Sequence, residues 1–125
     1  MIRAILVTHG TLGQSLYDAA ISVLGPQVGA NVLSNSGLSL EQIQTKVRLM
    51  LTDEPTLIMV DLCGGSPFMA CCSLGDLSGD TAIVSGVNLP MLLSSFTKRD
   101  KMSLSELAQT VERDAVRGIQ TRQPA

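Results

Sequence analysis

Residues 56–68, TLIMVDLCGGSPF, combine a short apolar run, an acidic residue and a glycine-rich turn. The run at 56–60 is apolar on both faces, which is typical of a central strand in a parallel sheet. After the turn we predict a helix with Ser66 as its N-cap and Pro67 as its first residue, running to about Leu77. A buried strand that leads directly into a helix is the repeating unit of an α/β protein.

The same alternation of strand and helix extends outward over the whole chain. Further strands are predicted at residues 2–8, 28–33 and 81–85. Further helices are predicted from Thr11 to about Leu24, from Ser39 to about Asp53, from Pro90 to Phe96, and from Ser103 to Gly118. Three of them begin with the spacing of a capping box, namely Thr11 with Gln14, Ser39 with Gln42, and Ser103 with Glu106.

A chain of 125 residues fits one domain, and no linker, internal repeat or low-complexity segment divides residues 1–125. Four alternations of strand and helix predict an α/β fold with an open, mainly parallel four-stranded sheet and helices on both faces. We expect the strand order 2-1-3-4. The tail at 118–122 is open to three interpretations: a short edge strand, an exchanged strand or a frayed end.

Composition excludes several classes of function. The formal net charge is −2 with no basic stripe, and there is no Trp, one Tyr and two Phe, so we do not expect nucleic-acid binding. No apolar run approaches the ~20 residues of a membrane span, so we expect no membrane insertion. The N-terminus lacks the features of a signal peptide, and a cytoplasmic location is expected.

The cysteines do not suggest a disulfide framework. Cys63, Cys71 and Cys72 are odd in number and two are adjacent, which favours small buried hydrophobic side chains. With a single histidine and no CxxC pair, we expect no metal site. No organic cofactor is expected either.

The polar side chains best suited to chemistry follow two predicted strands. His9 follows the first strand and Asp61 the third, and ligands of open α/β sheets bind at the carboxyl ends of the strands. A neutral imidazole is a nucleophile, and Gly10 leaves the ring uncrowded. Neighbouring strands lie ~4.8 Å apart, so Asp61 is predicted to accept a hydrogen bond from the His9 ring and fix its tautomer. The alternatives are a structural histidine and a solvated or capping carboxylate.

The glycine-rich turn after Asp61 predicts an anion site. Gly64, Gly65 and Ser66 stand at a predicted helix N-terminus, where free N–H groups and the helix dipole favour negative charge. Beside a nucleophilic histidine, the natural anion is a phosphoryl group. A serine hydrolase is the weaker interpretation, because the chain has no Gly-x-Ser-x-Gly elbow.

Three segments together resemble one known family. ILVTHG at 5–10, VDLCGGSPFMA at 60–70 and VSGVNLPMLL at 84–93 are similar to the IIA domain of the mannose-type phosphotransferase system, in the same order and over nearly the whole chain. The chain departs from the family pattern at Met69, where Asn is frequent, and at Cys63, where an aromatic residue is frequent.

The resemblance implies an α/β phosphoryl carrier that is typically a dimer. Its histidine, here His9, takes a phosphoryl group from the phosphocarrier HPr and passes it to a IIB component, which would be a separate protein. The family's aspartate corresponds to Asp61, its Gly-Gly-Ser-Pro turn to residues 64–67 with Ser66 near the phosphoryl group, and its second turn to residues 86–90.

Partner proteins are expected to dock on an apolar rim near His9. The candidate docking residues, each of which is also a candidate for the core, are Leu12, Leu62, Phe68 and Met91. Two other functions stay open. One is a regulatory module in which phosphorylation of His9 controls a protein target, and the other is a binding domain without phosphoryl transfer.

Overall fold

A computed structural model describes residues 1–74 and 80–124, and within them four strands alternate with five helices. The strands are β1 (Arg3–Thr8), β2 (Ala30–Ser34), β3 (Thr56–Val60) and β4 (Thr81–Ser85). The helices are α1 (Leu12–Leu24), α2 (Leu40–Met50), α3 (Ser66–Cys72), α4 (Leu89–Lys98) and α5 (Leu104–Arg117). None of these helices is long and apolar enough to cross a membrane.

The four described strands form one sheet in the order β2-β1-β3-β4, and all three pairings are parallel. The predicted order 2-1-3-4 is therefore confirmed. In the register, Ile5 of β1 lies between Asn31 of β2 and Ile58 of β3. Thus β1 has a neighbour on each side, and its carboxyl end is flanked by the ends of β2 and β3.

Helices cover both faces of the sheet, as predicted. Helices α1, α4 and α5 pack on one face, where Leu6 and Met59 belong to the larger core cluster. Helices α2 and α3 pack on the other face, where Ile5 and Ile58 belong to the second cluster. Both faces of β1 and β3 are buried, which explains why these strands are apolar at successive positions.

Two of the three predicted capping boxes are confirmed, those of Ser39 with Gln42 and Ser103 with Glu106. The third is wrong, because the Thr11 side chain makes no capping bond and the Gln14 side chain donates to Asp18 Oδ1 instead. The first turn of α1 is held from β1: the Gly13 amide donates to the buried Thr8 Oγ1 at 2.7 Å. A bond from the last residue of β1 to the first turn of α1 here replaces the capping bond that the sequence suggests.

Helix α3 begins one residue earlier than predicted. Gly65 is its N-cap, so Ser66 is a helical residue and Pro67 is the second residue of the helix. The N-cap position has extended backbone, which glycine adopts without a capping side chain. Helix α3 ends at Cys72, so Ser73 and Leu74 are not helical, contrary to the prediction, and the part of the predicted helix at residues 75–77 lies outside the described residues.

The boundaries of α4 and β2 also differ from expectation, whereas the tail takes the irregular form that is one of its three interpretations. The Asn88 side chain caps α4 by accepting from the Met91 amide, so α4 begins at Leu89 and not at Pro90. Strand β2 begins at Ala30, later than predicted. Residues 119–124 form neither helix nor strand, so this chain has no edge strand there.

The central position of β3 predicts a large penalty for truncating its side chains. Ile58 is 0% exposed, so Ile58→Ala should lower the free energy of unfolding by about 2–5 kcal/mol through lost burial and a cavity. Ile119 is 76% exposed, and the matched change Ile119→Ala should stay within about 0.5 kcal/mol. Urea unfolding followed by circular dichroism measures both. Equal effects would contradict this description of the core.

Candidate functional site

The candidate site lies where β1 and β3 end side by side. His9 directly follows β1, and Asp61 directly follows β3. From this point α1 leaves toward one face of the sheet and α3 toward the other. The diverging connections open a crevice at the carboxyl edge, which is where open α/β sheets bind ligands.

A single oxygen of Asp61 holds both the backbone and the ring of His9. Asp61 Oδ2 accepts from the His9 amide at 3.0 Å and lies 2.9 Å from His9 Nδ1. An ionised carboxylate only accepts hydrogen bonds, so Nδ1 carries the proton and Nε2 of the neutral ring keeps its lone pair. The His9 side chain is 44% exposed and that of Asp61 10%, so the imidazole is accessible and its partner lies beneath it.

The surroundings keep Asp61 ionised at neutral pH. Burial of the carboxyl opposes ionisation, but the hydrogen bonds from the His9 amide and ring outweigh it and lower the pKa of Asp61 below its ordinary value. The other oxygen, Oδ1, is buried and has no hydrogen-bond partner within the described residues. The negative charge that faces His9 is therefore concentrated on the side of the ring opposite Nε2.

Gly65 packs directly against the imidazole. A Cβ placed on Gly65 would lie 2.8 Å from His9 Cε1 and 3.4 Å from His9 Nε2, so any side chain there would displace the ring. Gly64 serves a different purpose: its φ of +87° is left-handed backbone, and no atom lies near its missing Cβ. The turn thus needs one glycine for its conformation and the next for contact.

Asn35, which follows β2 at the same edge, is a site residue that no sequence motif singles out. Its Oδ1 accepts from the Gly10 amide at 3.2 Å, and Gly10 has left-handed backbone with φ +54°. The signal was its position after a strand, because the carboxyl ends of β1 and β2 meet at one edge in the order 2-1-3-4.

The predicted docking residues do not form one surface. Leu12 and Leu62 are 43% and 57% exposed. Leu12 stands close to His9, since its amide donates to the His9 carbonyl, and Leu62 directly follows Asp61, the hydrogen-bond partner of His9. Phe68 is half-buried against the second core cluster. Met91 is 1% exposed within the larger core cluster, so docking is wrong for Met91 and the core alternative holds.

Two other predicted features take definite positions. Ser66 is exposed at the first position of α3, next to the Gly65 backbone that contacts His9. The turn at residues 86–90 meets the end of β3 through a bond from the Val87 amide to the Val60 carbonyl. Its Asn88 side chain caps α4 and also donates to the Ala115 carbonyl, so this side chain serves the fold.

The prediction of buried hydrophobic side chains holds for only one of the three cysteines. Cys71 is buried, and desolvation raises the pKa of its thiol to about 12. Cys63 and Cys72 are exposed, so the prediction is wrong for both. Within the described residues, no three His, Cys, Asp or Glu side chains come together as a metal site.

Fold and site together define a class: doubly wound α/β proteins with a histidine–aspartate pair at the carboxyl edge of the sheet. A family model described as the phosphotransferase-system (PTS) fructose IIA component, of the mannose type, matches residues 3–112. The chain therefore belongs to this family of PTS IIA components.

Curated relatives carry the same kind of name. The chain is 28% identical to the sorbose-specific EIIA component of Klebsiella pneumoniae over 90% of this chain and 85% of that protein. It is 26% identical to the fructose-specific EIIA component of Bacillus subtilis over 90% of this chain and 80% of that protein. With the mannose-specific EIIAB component of Escherichia coli K12 it shares 26% identity over 97% of this chain but only 40% of that protein.

Solved structures share the fold. The EIIA component of Streptococcus agalactiae superposes with a TM-score of 0.90 at 24% identity, covering 97% of both chains. The mannose/sorbose-specific IIA subunit of Enterococcus faecalis gives 0.87 at 22% identity, covering 99% of this chain and 96% of that one. These likenesses extend over the sheet and all its helices.

The lowered pKa of Asp61 predicts a pH-dependent part of the stability. A carboxyl whose pKa is lower in the folded protein stabilises it above the unfolded pKa of about 4, and this contribution is lost as the pH falls through the folded pKa. We expect wild type to be more stable than Asp61→Asn at pH 5, with a difference that shrinks below pH 4. Urea unfolding at pH 5 and at a pH below 4 measures this difference in the free energy of unfolding.

The matched control is Asp53→Asn, which neutralises an exposed carboxylate after α2. This variant controls for the loss of one negative charge, and only the part of the Asp61→Asn difference that exceeds it is assigned to the contacts with His9. A gap between wild type and Asp61→Asn that is constant or grows toward pH 3 would contradict the assigned direction of the Asp61 pKa.

Proposed function

We propose that residues 1–125 form one IIA domain of the mannose type and that the domain carries a phosphoryl group on His9. The observation that supports this is the pairing of His9 Nδ1 with Asp61 Oδ2 at 2.9 Å on an accessible ring. The pairing leaves Nε2 as the nucleophilic atom at the exposed edge. Within the described residues, Nε2 has no hydrogen-bond partner that would have to be displaced.

The proposed reaction is an in-line displacement between two histidines. The lone pair of His9 Nε2 forms a P–N bond as the P–N bond to the donor histidine breaks, and that electron pair leaves with the donor imidazole. The proton on His9 Nδ1 stays in its hydrogen bond to Asp61. The ring gains positive charge, which the adjacent carboxylate stabilises, while the transferred oxygens remain on the far side.

The phosphoryl oxygens are proposed to lie against the turn at residues 64–66 and beside Gly10. The Ser66 hydroxyl is exposed and makes no hydrogen bond within the described residues, so it is available as a donor. Gly65 admits no side chain between the turn and the ring, and Gly64 and Gly10 present bare backbone. No charge of the turn other than Asp61 opposes the anion.

The proposed partners are other proteins of the phosphotransferase system, with phospho-HPr as donor and a IIB component as acceptor. Leu12 and Leu62 provide exposed apolar surface next to His9 and are the proposed docking residues. Phe68 contributes only its exposed part. A homodimer is proposed from family membership, and the role in sugar uptake follows from the same membership.

Labelling of His9 tests the proposal directly. Incubation with phosphoenolpyruvate, enzyme I and HPr should add one acid-labile phosphate to wild type and none to His9→Ala, read by intact mass. A IIA protein of known activity, labelled in parallel, controls for active donors. Unlabelled wild type beside a labelled control would refute phosphoryl transfer and favour a binding domain.

Onward transfer separates uptake from regulation. Addition of a IIB component should remove the label from the IIA domain if the protein serves sugar uptake. A label that no IIB component accepts would favour the regulatory alternative, in which phosphorylation of His9 controls a protein target.

Gly65→Ala should slow labelling about tenfold or more. The added Cβ would fall 2.8 Å from His9 Cε1, and displacement of a reacting ring by a fraction of an ångström costs rate steeply. Gly65 has φ −77°, which alanine tolerates, so the circular dichroism spectrum should be unchanged. Wild-type labelling kinetics in this variant would contradict the close packing of turn and ring.

A further inference from the structure

The backbone groups on either side of His9 are both held by Asn35. The Asn35 amide donates to the Thr8 carbonyl at 3.0 Å, which extends the β1–β2 pairing by one bond beyond Ser34. The Asn35 side chain then turns toward β1, and its Oδ1 accepts from the Gly10 amide at 3.2 Å. Asn35 therefore closes a bridge across the residue that carries the imidazole.

With Asp61, this bridge fixes three consecutive residues of the chain. The Thr8 carbonyl and the Gly10 amide are bound from the β2 side by Asn35, and the His9 amide is bound from the β3 side by Asp61 Oδ2. The direction of the His9 Cα–Cβ bond follows from these backbone groups. Asp61 fixes the orientation of the ring, and Asn35 helps to fix the position of the His9 backbone from which the side chain extends.

Of the three polar residues at 34–36, only Asn35 bonds to the turn after β1. Ser34 and Ser36 bond to each other, with Ser34 Oγ donating to Ser36 Oγ at 3.0 Å and the Ser36 amide donating to Ser34 Oγ at 3.1 Å. A short amide side chain suits the bridge, because its oxygen can accept from the Gly10 backbone N–H while the backbone N–H of Asn35 continues the ladder. Ser36 is thus a matched control in the same loop.

We propose that Asn35 is a positioning residue for phosphoryl transfer at His9, acting through the Gly10 backbone and not on the phosphoryl group. This inference rests on the proposed function. In-line transfer requires Nε2 at a defined point, and small displacements of a reacting atom reduce the rate strongly. Without the Asn35 side-chain acceptor, the left-handed turn at Gly10 loses its hydrogen bond to the end of β2. The His9 backbone can then change its orientation.

The test compares wild type with Asn35→Ala, Asn35→Ser and Ser36→Ala in two measurements. Single-turnover labelling by phospho-HPr over a range of concentrations gives a maximal rate and a half-saturating concentration. Amide hydrogen exchange at Gly10, followed by NMR, reports the bridging hydrogen bond whether or not the protein is phosphorylated. Urea unfolding shows whether each variant stays folded.

We expect Asn35→Ala to lower the maximal rate about tenfold, with faster exchange at Gly10 and an unchanged half-saturating concentration, while the variant still unfolds cooperatively in urea. The serine hydroxyl can also accept a hydrogen bond but lies one bond closer to the backbone than Asn35 Oδ1, so the rate of Asn35→Ser should follow its protection at Gly10. Ser36→Ala should match wild type in both measurements.

A wild-type maximal rate in Asn35→Ala, a loss confined to the half-saturating concentration, or rates that do not follow Gly10 protection would each overturn the role of Asn35. Such results with a labelled wild type would leave the proposed function intact. An unlabelled wild type would refute the proposed function itself, and the positioning role with it, even if exchange at Gly10 confirmed the hydrogen bond.

Discussion

One carboxylate oxygen organises the site. Asp61 Oδ2 accepts from both the amide and the ring of His9, and this double contact is possible only because β1 and β3 are adjacent, parallel and in register at their ends. The same contact fixes the tautomer, orients the ring and supplies the negative charge that would stabilise the imidazole in the proposed phosphorylated form. The arrangement of the sheet and the chemistry of the histidine are thus two aspects of one constraint.

The hydrophobic core makes this constraint rigid. Both faces of β1 and β3 are buried under helices, so the strand ends are not free to slide or twist apart. Around them, two glycines permit close approach: Gly13 allows α1 to approach Thr8, and Gly65 allows the turn before α3 to contact the His9 ring. The exposed edge is therefore assembled from short connections, each tied to a buried strand.

Much of the fold followed from local sequence patterns. The runs at β1 and β3 are apolar at successive positions, and that pattern by itself indicates strands covered on both faces. His9 and Asp61 could be paired because parallel strand ends share an edge. Features that depend on tertiary contacts could not be predicted in this way. Thr8 replaces Thr11 at the start of α1, and Met91 is buried although it follows a turn at the functional edge.

The anchoring of His9 has a consequence for how the state of the domain is communicated. Its backbone and ring are tied to the ends of packed strands, so the proposed loaded and unloaded forms differ mainly in the charge at Nε2 and little in shape. A protein that reads the difference at Nε2 directly would contact this same edge, so the proposed donor, the proposed acceptor and such a sensor would compete for it one at a time.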